Sequence, residues 1–241
     1  MLIWGLACNI SDLLAVEILY RAYMVDKETK KVVPIFGIEH YSLKNNNNTD
    51  TNLSKMSFQF YKDGKHFDYF FEKIMNFYEK RCRGDTDFDY LALVPTHTGK
   101  LNEHMVQLCK KLSSALNIPV NFDIIKRTKE AKLLHETKEK EKRMKINEET
   151  LEINIDIKDK NILILDNTST SGSTAQTLFH KLKNRGANEV IFIVLGLGAK
   201  FGTISDFDLN STLKGKLSDI IKRFHGLKIT EDKRTLYKSK N

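Results

Sequence analysis

The stretch with the densest chemistry runs from Asn161 to Ala175 and reads Asn-Ile-Leu-Ile-Leu-Asp-Asn-Thr-Ser-Thr-Ser-Gly-Ser-Thr-Ala. Thr168, Ser169, Thr170, Ser171, Gly172, Ser173 and Thr174 are all hydroxyl-bearing residues or glycine. Such a loop, set before a helix, offers hydroxyls, free backbone N–H groups and the positive end of a helix dipole, which together suit a phosphate. Asp166 repels phosphate and can only accept hydrogen bonds, so it must serve another part of the ligand. A vicinal diol, donating two hydrogen bonds to a carboxylate, is the economical choice. Sugar and phosphate together read as a phosphorylated pentose. A plain βα connection is usually about two to six residues, shorter than this polar run. A Walker-type nucleotide site would need a Gly-Lys-Ser/Thr ending, which the loop lacks.

A second loop repeats this logic. Tyr90-Leu91-Ala92-Leu93-Val94-Pro95 reads as a buried strand, Thr96-His97-Thr98-Gly99-Lys100 as a short loop, and Leu101, Met105, Leu108, Leu112 and Ala115 as the apolar face of a helix. A strand end, a glycine loop and a helix start make a second anion site. Taken alone, His97 reads as a capping or solvent residue, while Lys100 is placed as a charge partner. Further on, Arg127, Lys129 and Lys132 form a basic segment ahead of a Lys/Glu-rich run, Glu136 to Lys145, which reads as a solvated helix.

The central stretch resembles the phosphoribosyl pyrophosphate (PRPP) signature of type I phosphoribosyltransferases: four apolar residues, two acids, two variable residues, then Thr-Thr-Gly-x-Thr. Asp166 matches the first acid, Thr170, Ser171, Gly172 and Thr174 match the loop, and Asn167 stands where the second acid is usual. The resemblance implies that Asp166 and Asn167 hold the ribose, that Thr168 to Thr174 hold the 5′-phosphate, and that Thr96 to Lys100 hold the pyrophosphate. It implies Mg²⁺ as cofactor, with Asp166 contacting it through water. It also implies a mobile basic segment that closes over the pyrophosphate, with Arg127, Lys129 and Lys132 neutralising charge on the leaving group. The Arg127…Lys132…Arg143…Asn147 pattern is loosely similar to that of ComF-type members. The implied reaction is transfer of the phosphoribosyl group to a nitrogen nucleophile, a nucleobase, with release of pyrophosphate. A rival reading is a non-catalytic sensor of PRPP or a nucleotide, favoured by the uncharged Asn167.

The elements that position these residues read as α/β, with a central, mostly parallel sheet flanked by helices, as in a type I phosphoribosyltransferase core. Ile162 to Leu165 should form a strand ending at Asp166, and Glu189 to Leu197 another, reached through a helix stop at Gly186. Val120 to Ile125 reads as a strand, as does Lys55 to Tyr61. Phe67, Phe70, Phe71, Ile74, Phe77 and Tyr78 repeat at helical spacing and belong to the core. Residues Glu17 to Val25 and Lys31 to Tyr41 fit a hairpin. The expected division is an N-terminal addition over 1–52, which ends in the polar Asn45 to Thr51 run, a core over 53–204, and a basic helix and tail over 205–241.

The chain has 241 residues, 41% hydrophobic and 29% charged, with a net charge of +8. From Lys214 onward nine basic residues face three acidic ones, so the tail holds most of the excess. That end could touch nucleic acid, although a frayed, solvated terminus is the commoner meaning. No apolar run approaches the roughly 20 residues of a membrane span, and the start lacks the basic flank of a signal peptide, so a cytoplasmic protein without membrane contact is expected. Cys8, Cys82 and Cys109 are too widely spaced for a zinc site and read as small buried hydrophobes. The expected partners are PRPP and an acceptor base that the sequence leaves open, with a homodimer as one possible assembly.

Overall fold

The computed structural model describes residues 19–24, 32–41, 52–131 and 139–198. A hairpin of β1 (Leu19–Met24) and β2 (Val32–Tyr41) comes first, close to the expected bounds. Its second strand is bonded in parallel to β7 (Val190–Gly198), so the hairpin forms one edge of the main sheet. The strand order is β1-β2-β7-β6-β3, with β3 spanning Tyr90–Leu93 and β6 spanning Ile162–Ser169. All neighbours except β1 and β2 are parallel, which makes the sheet mostly parallel as expected.

Both faces are covered. Leu163, Leu165, Ile191 and Ile193 face one apolar cluster, and Ile162, Ile164, Val190, Phe192 and Val194 face the other. The near-continuous apolar runs of β6 and β7 follow from this, because a strand buried on two sides has no solvent-facing positions. The first cluster is closed by three helices: α1 (Asn52–Asp63), α2 (Phe67–Phe77) and α3 (Glu103–Leu116). Phe70, Ile74 and Phe77 are the buried stripe of α2, and each contributes roughly 1.5–3 kcal/mol of transfer free energy. Cys82 and Cys109 are buried and free, and burial pushes the Cys109 thiol up to about 12. On α3, Ala115, expected in the apolar face, is exposed, and Cys109 joins Met105, Leu108 and Leu112 there.

Three expectations are corrected. Lys55 to Tyr61 is helical, within α1. Met56, Phe58 and Phe60 alternate as in a strand, but only Phe60 is fully buried, and Phe58 is 60% exposed. The burial of Ser57 with Phe60 is a spacing of i, i+3, which belongs to a helix. Val120 to Ile125 is not one strand. Val120 makes a single parallel bridge to Leu91, after which the Asn121 side chain accepts from the Asp123 N–H at 2.9 Å and turns the chain. A separate ribbon follows, β4 (Ile125–Arg127) against β5 (Leu151–Ile153), with α4 (Lys140–Thr150) leading into β5. Finally, β6 does not end at Asp166. It stays paired with β7 through Thr168↔Gly196 and Ser169↔Leu197. Gly198 permits this approach, since a Cβ there would lie 3.1 Å from Thr170 Cα. The helix expected over Leu213 to Phe224 lies outside the described residues.

Candidate active site

The carboxyl ends of β3 and β6 lie side by side and open into a cleft of about 150 Å³. Thr96 and His97 line it from one side, and Asp166, Asn167, Thr168 and Thr174 from the other. This is where parallel sheets place ligands, because the connections leave the strand ends open there.

The two loops differ in what they can offer an anion. After Gly172, whose φ of 72° suits a residue without Cβ, α5 (Ser173–Asn184) begins with no side-chain cap. Ser171 Oγ accepts only a long 3.4 Å bond from the Ser173 N–H, and the first turn points its dipole into the site. In the other loop, Gly99 at φ 82° donates its N–H to Thr96 O at 3.0 Å, and the Thr96 N–H goes to Lys100 O at 2.9 Å. That closes a tight turn, and the Thr98 and Lys100 N–H groups have no acceptor among the described residues. Asn102 caps α3 by accepting from the Met105 N–H at 3.1 Å. This cap takes one N–H of the first turn of α3.

Asp166 is at the floor of the cleft. Burial pushes its carboxyl up to about 7, against the pull of the Asn167 N–H, 2.7 Å from Oδ1, and of the Arg127 charge. Tyr61 of α1 lines the same cleft, and burial together with the Asp166 charge raises its phenol. Sequence reasoning missed Tyr61 because its stretch read as a strand.

Arg127 emerges from β4 into a hydrogen-bond network. Its Nε donates to Thr96 O at 3.0 Å, Nη1 to Thr150 Oγ1, and Nη2 to Asn147 Oδ1 at 3.3 Å. Asn147, wholly buried in α4, donates in turn to Thr174 Oγ1 at 3.3 Å. One chain of bonds thus ties the Thr96 loop to the Thr174 loop. Burial lowers the Arg127 guanidinium and the Asp166 charge opposes the shift. Asn147 and Arg143 entered the sequence reading only through the loose basic pattern, and Thr150 carried no signal.

Among the residues expected to bind, Thr96, His97, Arg127, Asp166, Asn167, Thr168 and Thr174 line the cleft. Thr98, Gly99, Lys100, Ser169, Thr170, Ser171, Gly172 and Ser173 are not part of this lining; Thr98 and Lys100 are exposed, and Ser169, Gly172 and Ser173 are buried. Lys129 is exposed and away from the cleft wall, and Lys132 lies outside the described residues. Among the described residues no group of three or more His, Cys, Asp and Glu side chains could hold a metal ion, and no helix is long and apolar enough to cross a membrane.

Residues 105–200 match the family model described as phosphoribosyl transferase domain, a stretch that contains β6, its loop and α5. By this match residues 105–200 are similar to a phosphoribosyl transferase domain, in line with the resemblance read from Asp166 to Thr174. The match is under half of the chain and begins after the Thr96–Lys100 loop. No curated protein matches. Similar solved structures include the purine phosphoribosyltransferase of Pyrococcus horikoshii, 19% identical over 56% of this chain and 71% of that one, with a TM-score of 0.32. The hypoxanthine phosphoribosyl transferase of Trypanosoma cruzi is 15% identical over 60% and 67%, with a TM-score of 0.37. The UMP synthase of Leishmania donovani is 16% identical over 66% and 32%, with a TM-score of 0.29.

Proposed function

We propose that this chain is a phosphoribosyltransferase, which moves the 5-phosphoribosyl group of PRPP to a ring nitrogen of a nucleobase and releases pyrophosphate. The observation that carries this reading is a single cleft in which two anion-type loops flank one carboxylate: Thr96–His97 on one side, Thr168 and Thr174 on the other, Asp166 between them. A sugar phosphorylated at both ends has that order of charges. The uncapped α5 terminus and the hydroxyls of Thr170, Ser171 and Thr174 hold the 5′-phosphate. Asp166 accepts from the ribose hydroxyls, which fixes the sugar while the bond from C1 to the pyrophosphate oxygen breaks. The free N–H groups of Thr98 and Lys100 receive the departing charge, an interaction that grows stronger in the transition state.

The donor set suits Mg²⁺. The Asn167 Oδ1 is buried without a hydrogen-bond partner, Asn167 and Asp166 line the same cleft, and both offer hard oxygen donors. Asp166 and Asn167 would hold the ion. When bound, the ion neutralises charge on the pyrophosphate.

The test is pyrophosphate release from PRPP and Mg²⁺ with a panel of purine and pyrimidine bases, with Asp166→Ala as control. Release with one base, abolished in the variant, supports the reading; binding of PRPP without release from any base favours the sensor. Asn167 is the observation behind that second reading, and turnover gained by Asn167→Asp without a gain in affinity would establish it.

A further inference from the structure

Two arginines reach the cleft, and their surroundings differ. Arg127 directs its N–H groups to Thr96, Thr150 and Asn147, all protein acceptors. Arg143, one helical turn before Asn147 on α4, has a buried Nε with no hydrogen-bond partner. It takes part in none of the ion pairs among the described residues, and Glu139, one turn earlier, pairs instead with Lys142 at 3.0 Å. Burial lowers its guanidinium, and no carboxylate opposes that shift. Arg143 is half-buried, and a buried N–H without an acceptor is costly unless a ligand oxygen joins it. The cleft that Arg143 lines also holds Thr96, Asp166 and Thr174.

We propose that Arg143 is the side chain that grips a phosphoryl group of the ligand, and that Arg127 is a positioning residue holding the two loops in register. The proposal rests on the phosphoribosyl reading. The planar guanidinium fork matches two oxygens of one phosphoryl group, which an ammonium cannot do. Two phosphoryl sources fit this position: the 5′-phosphate, because Asn147 touches Thr174, and the pyrophosphate, because Arg127 touches Thr96.

Calorimetric titration of the full chain with ribose 5-phosphate, and separately with pyrophosphate and Mg²⁺, distinguishes them. Arg143→Gln should weaken one ligand by about ten- to hundredfold, the usual range for a lost charge-assisted hydrogen bond, and leave the other within about twofold. Arg143→Lys should recover only part of the loss. Arg127→Gln should weaken both ligands and lower the melting temperature. The proposal is overturned if Arg143→Gln binds both ligands like the wild type, or loses both equally together with a fall in melting temperature. If the wild type binds neither ligand, the phosphoribosyl reading fails first and takes this proposal with it. If the wild type binds both and Arg143→Gln is unchanged, only the proposal falls.

Discussion

Replacing Asn147 by alanine tests whether the two anion loops are held together by the network seen between them. The side chain is fully buried, accepts from Arg127 Nη2 at 3.3 Å and donates to Thr174 Oγ1 at 3.3 Å. The first bond has a charged donor and is worth about 1.5–3 kcal/mol, and the second is neutral and worth about 0.5–1.5 kcal/mol. Both are long, which favours the lower ends, so Asn147→Ala should destabilise the fold by about 2–3 kcal/mol. For a chain of this size that lowers the melting temperature by roughly 4–12 °C. Asn147→Asp keeps the volume and the acceptor for Arg127, and should cost less stability. It sets a negative charge beside Thr174, however, so it should weaken ribose 5-phosphate more than alanine does. Urea denaturation and calorimetry of the three proteins give both quantities. A stability change within about 0.5 kcal/mol for Asn147→Ala, the range of ordinary surface substitutions, would refute the reasoning.

Other expectations follow from buried or strained groups. Glu39, on β2 and 3% exposed, has its carboxyl raised from 4.5 to about 7, chiefly by burial; Tyr69 and Lys73 pull it back, but neither oxygen makes a hydrogen bond of ordinary geometry. The folded state therefore holds a proton that the unfolded state loses, so this contribution to stability is intact below about pH 4.5 and is lost as pH rises through about 7. Glu39→Gln should remove that slope and stabilise the protein at pH 8 by up to about 3 kcal/mol; urea midpoints at pH 5, 6, 7 and 8 check it, and parallel curves for both proteins would contradict it. Asp166 is raised to about 7 as well and must be ionised to accept from ribose hydroxyls, so PRPP affinity should rise between pH 6 and 8 in the wild type and stay flat in Asp166→Asn. Gly99→Ala combines a φ of 82° with a Cβ 3.1 Å from Arg127 O, and should cost about 1–2 kcal/mol and weaken pyrophosphate more than ribose 5-phosphate in calorimetry.

What could be read along the chain and what could not divides by sequence distance. The β6 strand, its hydroxyl loop and α5 are contiguous, so the local pattern exposed the fold unit and suggested the ligand chemistry proposed for it. The extension of β6 to Ser169 escaped because it depends on Gly196 and Gly198 lying alongside on β7, a fact about a neighbour. Tyr61 escaped because Met56, Phe58 and Phe60 alternate at the strand period, and only packing against α3 and the sheet chooses the helix. Arg127 was visible as a charge, but its partners Thr96, Asn147 and Thr150 are 31, 20 and 23 residues away, and these bonds turn a candidate ligand contact into a tie between loops. The same logic brings Arg143 forward: a lysine- and glutamate-rich helix looks solvated from its sequence, and only the buried, unpartnered Nε marks the position proposed to meet a ligand's charge.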